Sequence, residues 1–567
     1  MIQTERRLSW PIILMVAAGL IVGFLVIYPI GALLWGSFRT APPGNPANFT
    51  IGNYIKAFTS HNILKILKNT FIIMSGVTLI ASPIGIFLAW ITTRTNTPFR
   101  EQLEVLNVLP FLLSPFVAAI AWMMLLDKRM GIINHALVKF VPFIKKPPFD
   151  IATLGGTIFV LSLYYIPYMY LFVLGSFKAM DPSLEEAARI SGSNNFKCAV
   201  RITLPLALPA ILSGILTIFV HTAGQFGVPA TLMAPRGEFV LTTQIQRFLA
   251  FYPQDYNSAA TFGALLLGIT ATGVFIQRRM IAKKEFTTVT GKAYRPRLID
   301  LGKWRYVTFA FNLIYLFVGL VMPYFALILV SFHRYWAGII NFRLLTLEHF
   351  KYVLFEQEAS VRSIINSLFL ATVGVFICLL LAMLTSYLIN RTKVKGRGVF
   401  DYLSMLPIAI PGMVIGVGLL WAWIRVPIAI YGTIWIIMIA FITRYIPYGV
   451  RSLSSSLLSL GKEHEESSWV CGASWFRTVR RILIPLLKPG FAAAALLLYI
   501  LFMRELSTAI LLWFPGTEVV SVQIFQLLRD GDFPATAALA TVQTILIFIG
   551  IIILRLITKE QFVARIR

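Results

Sequence analysis

Twelve mostly apolar stretches, each of about 20 or more residues, follow one another along this chain and constrain its fold more than any other feature. They lie at 11–38, 69–92, 104–126, 152–177, 207–233 and 258–277, then at 306–332, 366–389, 400–424, 431–452, 489–513 and 536–557. A helix that crosses a bilayer needs about 20 consecutive apolar residues, so each stretch is long enough to span. The expectation is an all-α polytopic membrane protein with six spans in each half. Few residues lie between the stretches, which leaves no room for a separate catalytic domain outside the membrane.

Composition agrees. Hydrophobic residues make up 57% of the 567 and charged residues only 13%, against about 45–50% and about 25% in a soluble domain. The net charge of +26 would suggest nucleic acid in a soluble protein. In a membrane protein Lys and Arg gather on cytoplasmic loops instead, and no nucleic-acid partner is expected. With the N-terminus inside, cytoplasmic segments carry 30 Lys and Arg and external segments 17, which favours cytoplasmic N- and C-termini. The run after Arg6 and Arg7 is too long for the apolar core of a signal peptide, about 7–15 residues, and reads as the first span. Cys198, Cys378 and Cys471 show no C-x-x-C spacing and suggest neither a disulfide framework nor a zinc site.

The two sets of spans are copies. Residues 185–209 and 465–489 align without a gap at an offset of 280, pairing Glu185 with Glu465, Glu186 with Glu466, Gly192 with Gly472, Pro205 with Pro485 and Pro209 with Pro489. Upstream, Tyr165-Ile-Pro-Tyr168 matches Tyr445-Ile-Pro-Tyr448 at the same offset. With small gaps, Leu109-Pro110 answers Leu406-Pro407, Asn69 through Arg94 answers Asn366 through Arg391, and Ser37-Phe38 answers Ser331-Phe332. The chain therefore divides into a first module at 1–278, a basic linker at 279–304 and a second module at 305–567. Parallel repeats place a pore or binding site where the halves meet.

At the centre of the repeat, Glu186-Ala187-Ala188, Gly192 and Ile202-Thr203-Leu204-Pro205 stand at the spacing of the EAA signature. The chain is identified by it as resembling permeases of binding-protein-dependent ABC importers of the type I kind. The second copy, Glu466-Ser467-Ser468, Gly472 and Ile482-Leu483-Ile484-Pro485, departs at both alanines and at the leucine. The resemblance implies that loops 181–205 and 461–485 dock on two copies of a cytoplasmic ATPase subunit, with Glu185, Glu186, Ala187, Gly192, Glu465, Glu466, Ser467 and Gly472 in the coupling surface. It also implies a periplasmic substrate-binding protein outside and a bacterial inner membrane as the setting, with lipid around the spans. Locally, Ser183 to Glu186 has capping-box spacing, Asp181-Pro182 marks a helix start, and Gly192 suits a left-handed C′ position.

No G-x-x-x-x-G-K-[ST] occurs, so the chain lacks a phosphate-binding loop. It is expected to bind no cofactor itself, and ATP belongs to the partner subunit. H-E-x-x-H and G-x-S-x-G are also absent, so no enzyme is expected. Polar groups within spans are costly and tend to face a pore or a partner; here they are His221 and Gln225 in the fifth span and Arg504, Glu505 and Ser507 in the eleventh. Pore lining is one reading for them, and mutual satisfaction, with Arg444 as a further partner, is the other. Phe226-Gly-Val-Pro229, the linker segment Thr290 to Arg297, and Arg504-Glu-Leu-Ser507 with Pro515-Gly-Thr-Glu518 resemble the fused permeases of ferric-iron importers. That resemblance implies iron as cargo, with thiamine, polyamine and phosphonate permeases sharing the architecture. Oxygen ligands for a hard ferric ion would come from Glu505, Tyr252, Asp255 and Tyr256; the metal-binding residues otherwise stay unknown. An ion-coupled carrier of two six-helix halves is the competing class, and it has no use for paired docking loops.

Overall fold

The computed structural model describes residues 10–60, 62–181, 183–282, 298–424 and 426–558. Of the basic linker, residues 283–297 lie outside them. Among the described residues every regular element is helical, and β-structure is limited to isolated bridges.

The spans of the first half are α1 (Trp10–Ser37), α2 (Ile63–Arg94), α3 (Pro115–Leu126), α4 (Leu154–Ala179), α5 (Leu208–Ala223) and α6 (Tyr256–Ala282). Those of the second are α7 (Trp304–Ser331), α8 (Glu358–Arg391), α9 (Gly412–Trp423), α10 (Ile434–Ser459), α11 (Ile484–Met503) and α12 (Phe533–Thr558). Nine candidate spans are unbroken, and three more are bent pairs, so the described chain holds up to twelve. The six-plus-six architecture stands. In each half the second and fourth spans pack most extensively, α2 on α4 and α8 on α10. These fourth spans are the most buried of the unbroken spans and include the two least apolar. Only helices shielded from lipid tolerate that polarity.

The first helix of each half reaches across to the other. Helix α1 packs on α9, and α7 packs on α3. Close approach of α1 and α9 depends on small residues: a Cβ at Gly418 would sit 2.4 Å from the Pro29 carbonyl oxygen, and one at Gly36 2.4 Å from the Trp421 ring. Hydrogen bonds from Tyr28 Oη to the Ala422 carbonyl (3.0 Å) and from Trp421 Nε1 to the Tyr256 carbonyl (3.2 Å) tie the halves further.

Spans three and nine are not the continuous helices expected at 104–126 and 400–424. The chain bends by 90° between Leu112 and Pro115 and by 111° between Ala409 and Gly412. Proline supplies the reason: the residue before a proline is driven from helical to extended backbone, and Ser114 (ψ 132°) and Ile410 (ψ 117°) precede Pro115 and Pro411. Span five is the third bent pair, turning by 67° between Leu206 and Leu208, and the stretches expected at 207–233 and 489–513 each also break where their long helix ends. Helix α5 stops at Ala223 and restarts at Gly227, while α11 stops at Met503 and restarts at Ala509. The breaks fall at corresponding positions, and the expected polar residues lie in or beside them.

Candidate functional site

A cavity enclosing about 100 Å³ lies where the halves meet, and the breaks in spans three, five, nine and eleven all open onto it. His221, Gln225, Arg504, Glu505 and Ser507 line it together, joined by Tyr165, Tyr168, Arg444, Tyr445 and Tyr448 from the central helices α4 and α10. Discontinuous helices at an interface between repeats commonly expose backbone and polar side chains to a cargo.

The wall follows the repeat. Gln225 Nε2 donates to Tyr165 Oη at 2.8 Å, and at the same offset Tyr445 Oη donates to Glu505. The carbonyls freed at the two breaks are also satisfied in parallel, that of Gln225 by Thr242 Oγ1 (2.7 Å) and that of Glu505 by Ser521 Oγ. The halves then diverge. Glu505 is 4% exposed and forms an ion pair with Arg444 while accepting from the Thr508 backbone N–H (2.8 Å) and hydroxyl (2.9 Å). Gly412 makes room for that guanidinium, since a Cβ there would lie 1.8 Å from Arg444 Nη1. Arg504 takes neither role. It donates to the Phe111 carbonyl and sits over the Phe111 ring, with its guanidinium carbon 4.8 Å from the ring centroid. His221 Nε2 lies 3.1 Å from Tyr448 Oη. Glu505 is internally satisfied, and all five residues face the cavity.

Towards the end of the molecule opposite the EAA loops, Phe116 of the cavity wall meets Phe525 (centroids 6.0 Å), and Phe525 meets Phe226 (5.6 Å). Beyond this aromatic partition lies a larger cavity of about 610 Å³, lined by Phe226, Phe525, Arg247 and Arg529 among others. Gly227 lets the partition close, because a Cβ there would lie 2.6 Å from that of Phe116.

The duplicated loops form short helices, Ser183–Ile190 and Glu463–Val470. Both end alike. Gly192 (φ +84°) and Gly472 (φ +77°) take the left-handed conformation, with Ser193 N–H donating to the Ala188 carbonyl and Ala473 N–H to the Ser468 carbonyl, each at 3.0 Å. This is the Schellman pattern that favours glycine. The starts differ from expectation. Asp181, not Ser183, caps the first helix, its Oδ1 accepting from Ser183 N–H at 2.9 Å. Pro182 has no N–H, so the first donor available to a cap is that of Ser183. After each loop helix comes a π-helical turn, Ala199–Thr203 and Val479–Leu483. These turns lead into Pro205 and Pro485, where the wider winding accommodates the missing donor and the ring.

Within each acidic pair the two residues face opposite ways, which corrects the expectation that both belong to a docking surface. Glu185 and Glu465 are 3% and 2% exposed, whereas Glu186, Ala187, Gly192, Glu466, Ser467 and Gly472 are exposed at one end of the molecule. Consecutive helical residues project about 100° apart, so one carboxylate turns in and the next out. The inward pair meets partners not anticipated from the sequence. Arg94 Nε lies 3.4 Å from Glu185 Oε1, and Arg391 Nε 3.0 Å from Glu465 Oε1. The same guanidiniums cap the fourth spans, Arg94 donating to the Phe177 carbonyl (2.8 Å) and Arg391 to those of Leu457 (2.8 Å) and Leu460 (2.7 Å). Thr203 and Tyr387 also donate to the two carboxylates, at 2.7 and 2.6 Å. Each loop helix is thereby pinned to the ends of its second and fourth spans.

The expected oxygen ligands do not converge. Glu505 lies in the central cavity, while Tyr252, 97% exposed, lies in the loop before α6 with Asp255. Asp255 caps α6 through Ser258 N–H (2.9 Å) and pairs with Lys56 (3.3 Å), and Tyr256 donates to Gln254. Burial pushes the Asp255 carboxyl up, but the Ser258 hydrogen bonds and the Lys56 ammonium outweigh it and hold its pKa below the ordinary value. Among the described residues no three of His, Cys, Asp and Glu stand close enough to hold a metal ion.

Comparison with known proteins places this geometry. Residues 81–285 and 374–567 each match the family described as binding-protein-dependent transport system inner membrane component. The chain belongs to that family. It is a multi-pass ABC importer permease with one family unit in each half, so it is a transport subunit. The ferric transport system permease protein FbpB of Actinobacillus pleuropneumoniae is 26% identical over 527 residues, covering 92% of this chain and 74% of that protein. A putative ferric transport permease, FbpB 1 of Haemophilus influenzae, is 26% identical over 89% of this chain and 78% of its own length. The putative 2-aminoethylphosphonate permease PhnV of Salmonella typhimurium is 26% identical over 43% of this chain and 89% of its own.

Proposed function

We propose that this permease moves ferric iron, delivered by an external binding protein, across the inner membrane, and that two copies of a separate ATPase drive it from the side of the EAA loops. The observation that carries the ATP-driven reading is the pair of loop helices. Each presents an exposed glutamate, Glu186 or Glu466, at the same end of the molecule, and each is pinned by a buried Arg–Glu pair to its second and fourth spans, of which the fourth lines the cavity. The surplus of Lys and Arg on the same side supports a cytoplasmic location for the loops. The pinning gives a route for force. Tyr165 and Tyr445 each lie 12 residues up their helices from Phe177 and Leu457, whose carbonyls the anchoring arginines hold, a distance of about 18 Å at 1.5 Å per residue. A loop helix displaced by its ATPase would therefore move the fourth span and the cavity wall as one body.

Iron as cargo is supported by the ferric transport permeases similar over most of the chain. The test is uptake of radiolabelled ferric iron, under iron limitation, by cells lacking this gene with and without its restoration. Restored, ATP-dependent uptake is the expected result; equal uptake in both strains would overturn the iron reading.

A further inference from the structure

The charges along the path between the halves are mostly positive. The outer cavity has Arg247 and Arg529 in its wall and no carboxylate among its lining residues. Behind the aromatic partition, the central cavity is lined by Arg444, Arg504 and a single carboxylate, Glu505. That carboxylate is already committed to Arg444, Tyr445 and Thr508. Among the described residues Arg504 has no carboxylate within ion-pair distance, and its partners are the Phe111 carbonyl and ring. The central cavity therefore carries one surplus positive charge in a poorly screened interior. The hydroxyls and amide around it are hydrogen-bond donors well suited to oxyanion oxygens. The N-terminal ends of α3 and α9, the positive poles of their helix dipoles, also face it through Pro115 and Pro411.

A bare trivalent cation would be repelled here, and the described residues provide no cluster of ligands to replace its water. Resting on the iron reading above, we propose that this permease passes its cargo as an anion. Iron enters as a ferric–oxyanion complex of net negative charge, and Arg504 is the specificity-determining residue that holds it.

The test uses the full chain with its ATPase and binding protein in proteoliposomes holding ATP in the compartment on the ATPase side. Radiolabelled ferric iron is supplied with phosphate, citrate or bicarbonate, each separately labelled. Accumulation of one of these anions with iron, at about two or more per iron, is the expected result, because a single hydrogenphosphate, carbonate or citrate does not outweigh the charge of a ferric ion. Arg504→Gln should lower both uptakes at least tenfold while the variant still co-purifies with the ATPase, and Arg504→Lys should restore most of the loss. Iron accumulating with none of the three labelled anions would overturn the proposal and leave the iron reading intact. Uptake of labelled phosphate or 2-aminoethylphosphonate without iron would remove the iron reading and support the anionic cargo.

Discussion

Replacing Arg391 by alanine isolates what the buried anchors contribute. Arg391 and Glu465 side chains are 6% and 3% exposed and 3.0 Å apart. Without the guanidinium, Glu465 keeps only Tyr387 as a hydrogen-bond donor among the described residues, and the Leu460 carbonyl loses its donor while that of Leu457 keeps the Leu460 N–H. Removing one member of a buried pair costs about 3–5 kcal/mol, because a charge remains buried without its partner. The unsatisfied Leu460 carbonyl adds about 1–3 kcal/mol where water cannot reach it. These terms overlap, so about 4 kcal/mol is expected in total, close to a thousandfold in an equilibrium constant. Exposed Glu466, one residue along, should change stability by less than about 0.5 kcal/mol when replaced by alanine. Replacing Arg391 and Glu465 together by methionine removes both charges and should recover most of the stability, since apolar substitutes for a whole buried pair are often neutral or better. Thermal inactivation in detergent, followed by the monodisperse fraction on size exclusion, reads all three variants. An Arg391→Ala protein as heat-resistant as the unmodified one would refute the reasoning, as would a methionine pair no better than the single alanine.

Glu505→Gln removes the counter-charge of Arg444 and should lower transport at least tenfold while ATPase association persists; unchanged uptake would make the ion pair structural only. Gly418→Ala places a methyl group 2.4 Å from the Pro29 carbonyl oxygen and should destabilise the exchanged packing of α1 on α9 by about 1–3 kcal/mol, read as lower heat resistance. Phe226→Ala opens the aromatic partition and should raise leakage of small ions through proteoliposomes in the absence of ATP; an unchanged leak would place the closure elsewhere.

Much of the fold was legible because hydropathy and the repeat report on each helix separately. The twelve spans and the exposed Glu186 and Glu466 needed no knowledge of which helix touches which. Contacts between helices carry no such signal. The pairing of Arg444 with Glu505, 61 residues apart, and the exchange of α1 and α7 between halves depend on packing that hydropathy does not encode. Two features were visible but read too weakly. Tyr165 and Tyr168, duplicated as Tyr445 and Tyr448, served as an alignment marker, although a polar pair repeated in the least apolar spans already pointed to an interior wall. Arg94 and Arg391 ended a duplicated segment, yet an arginine at the end of a span ordinarily reads as a charge reaching for water. The breaks in spans three and nine were written in Pro115 and Pro411, but apolar content alone does not distinguish a straight span from one bent at a proline.

The most direct test of the central claim, that force from an ATPase enters through the two loop helices, is co-purification of the ATPase with the Glu186→Lys, Glu466→Lys double variant. Both glutamates are exposed and outside the buried anchors, so the variant should express and fold normally. The expected result is that the ATPase is lost from the complex and that ATP-dependent uptake stops. A double variant that retains the ATPase and transports at the unmodified rate would contradict it.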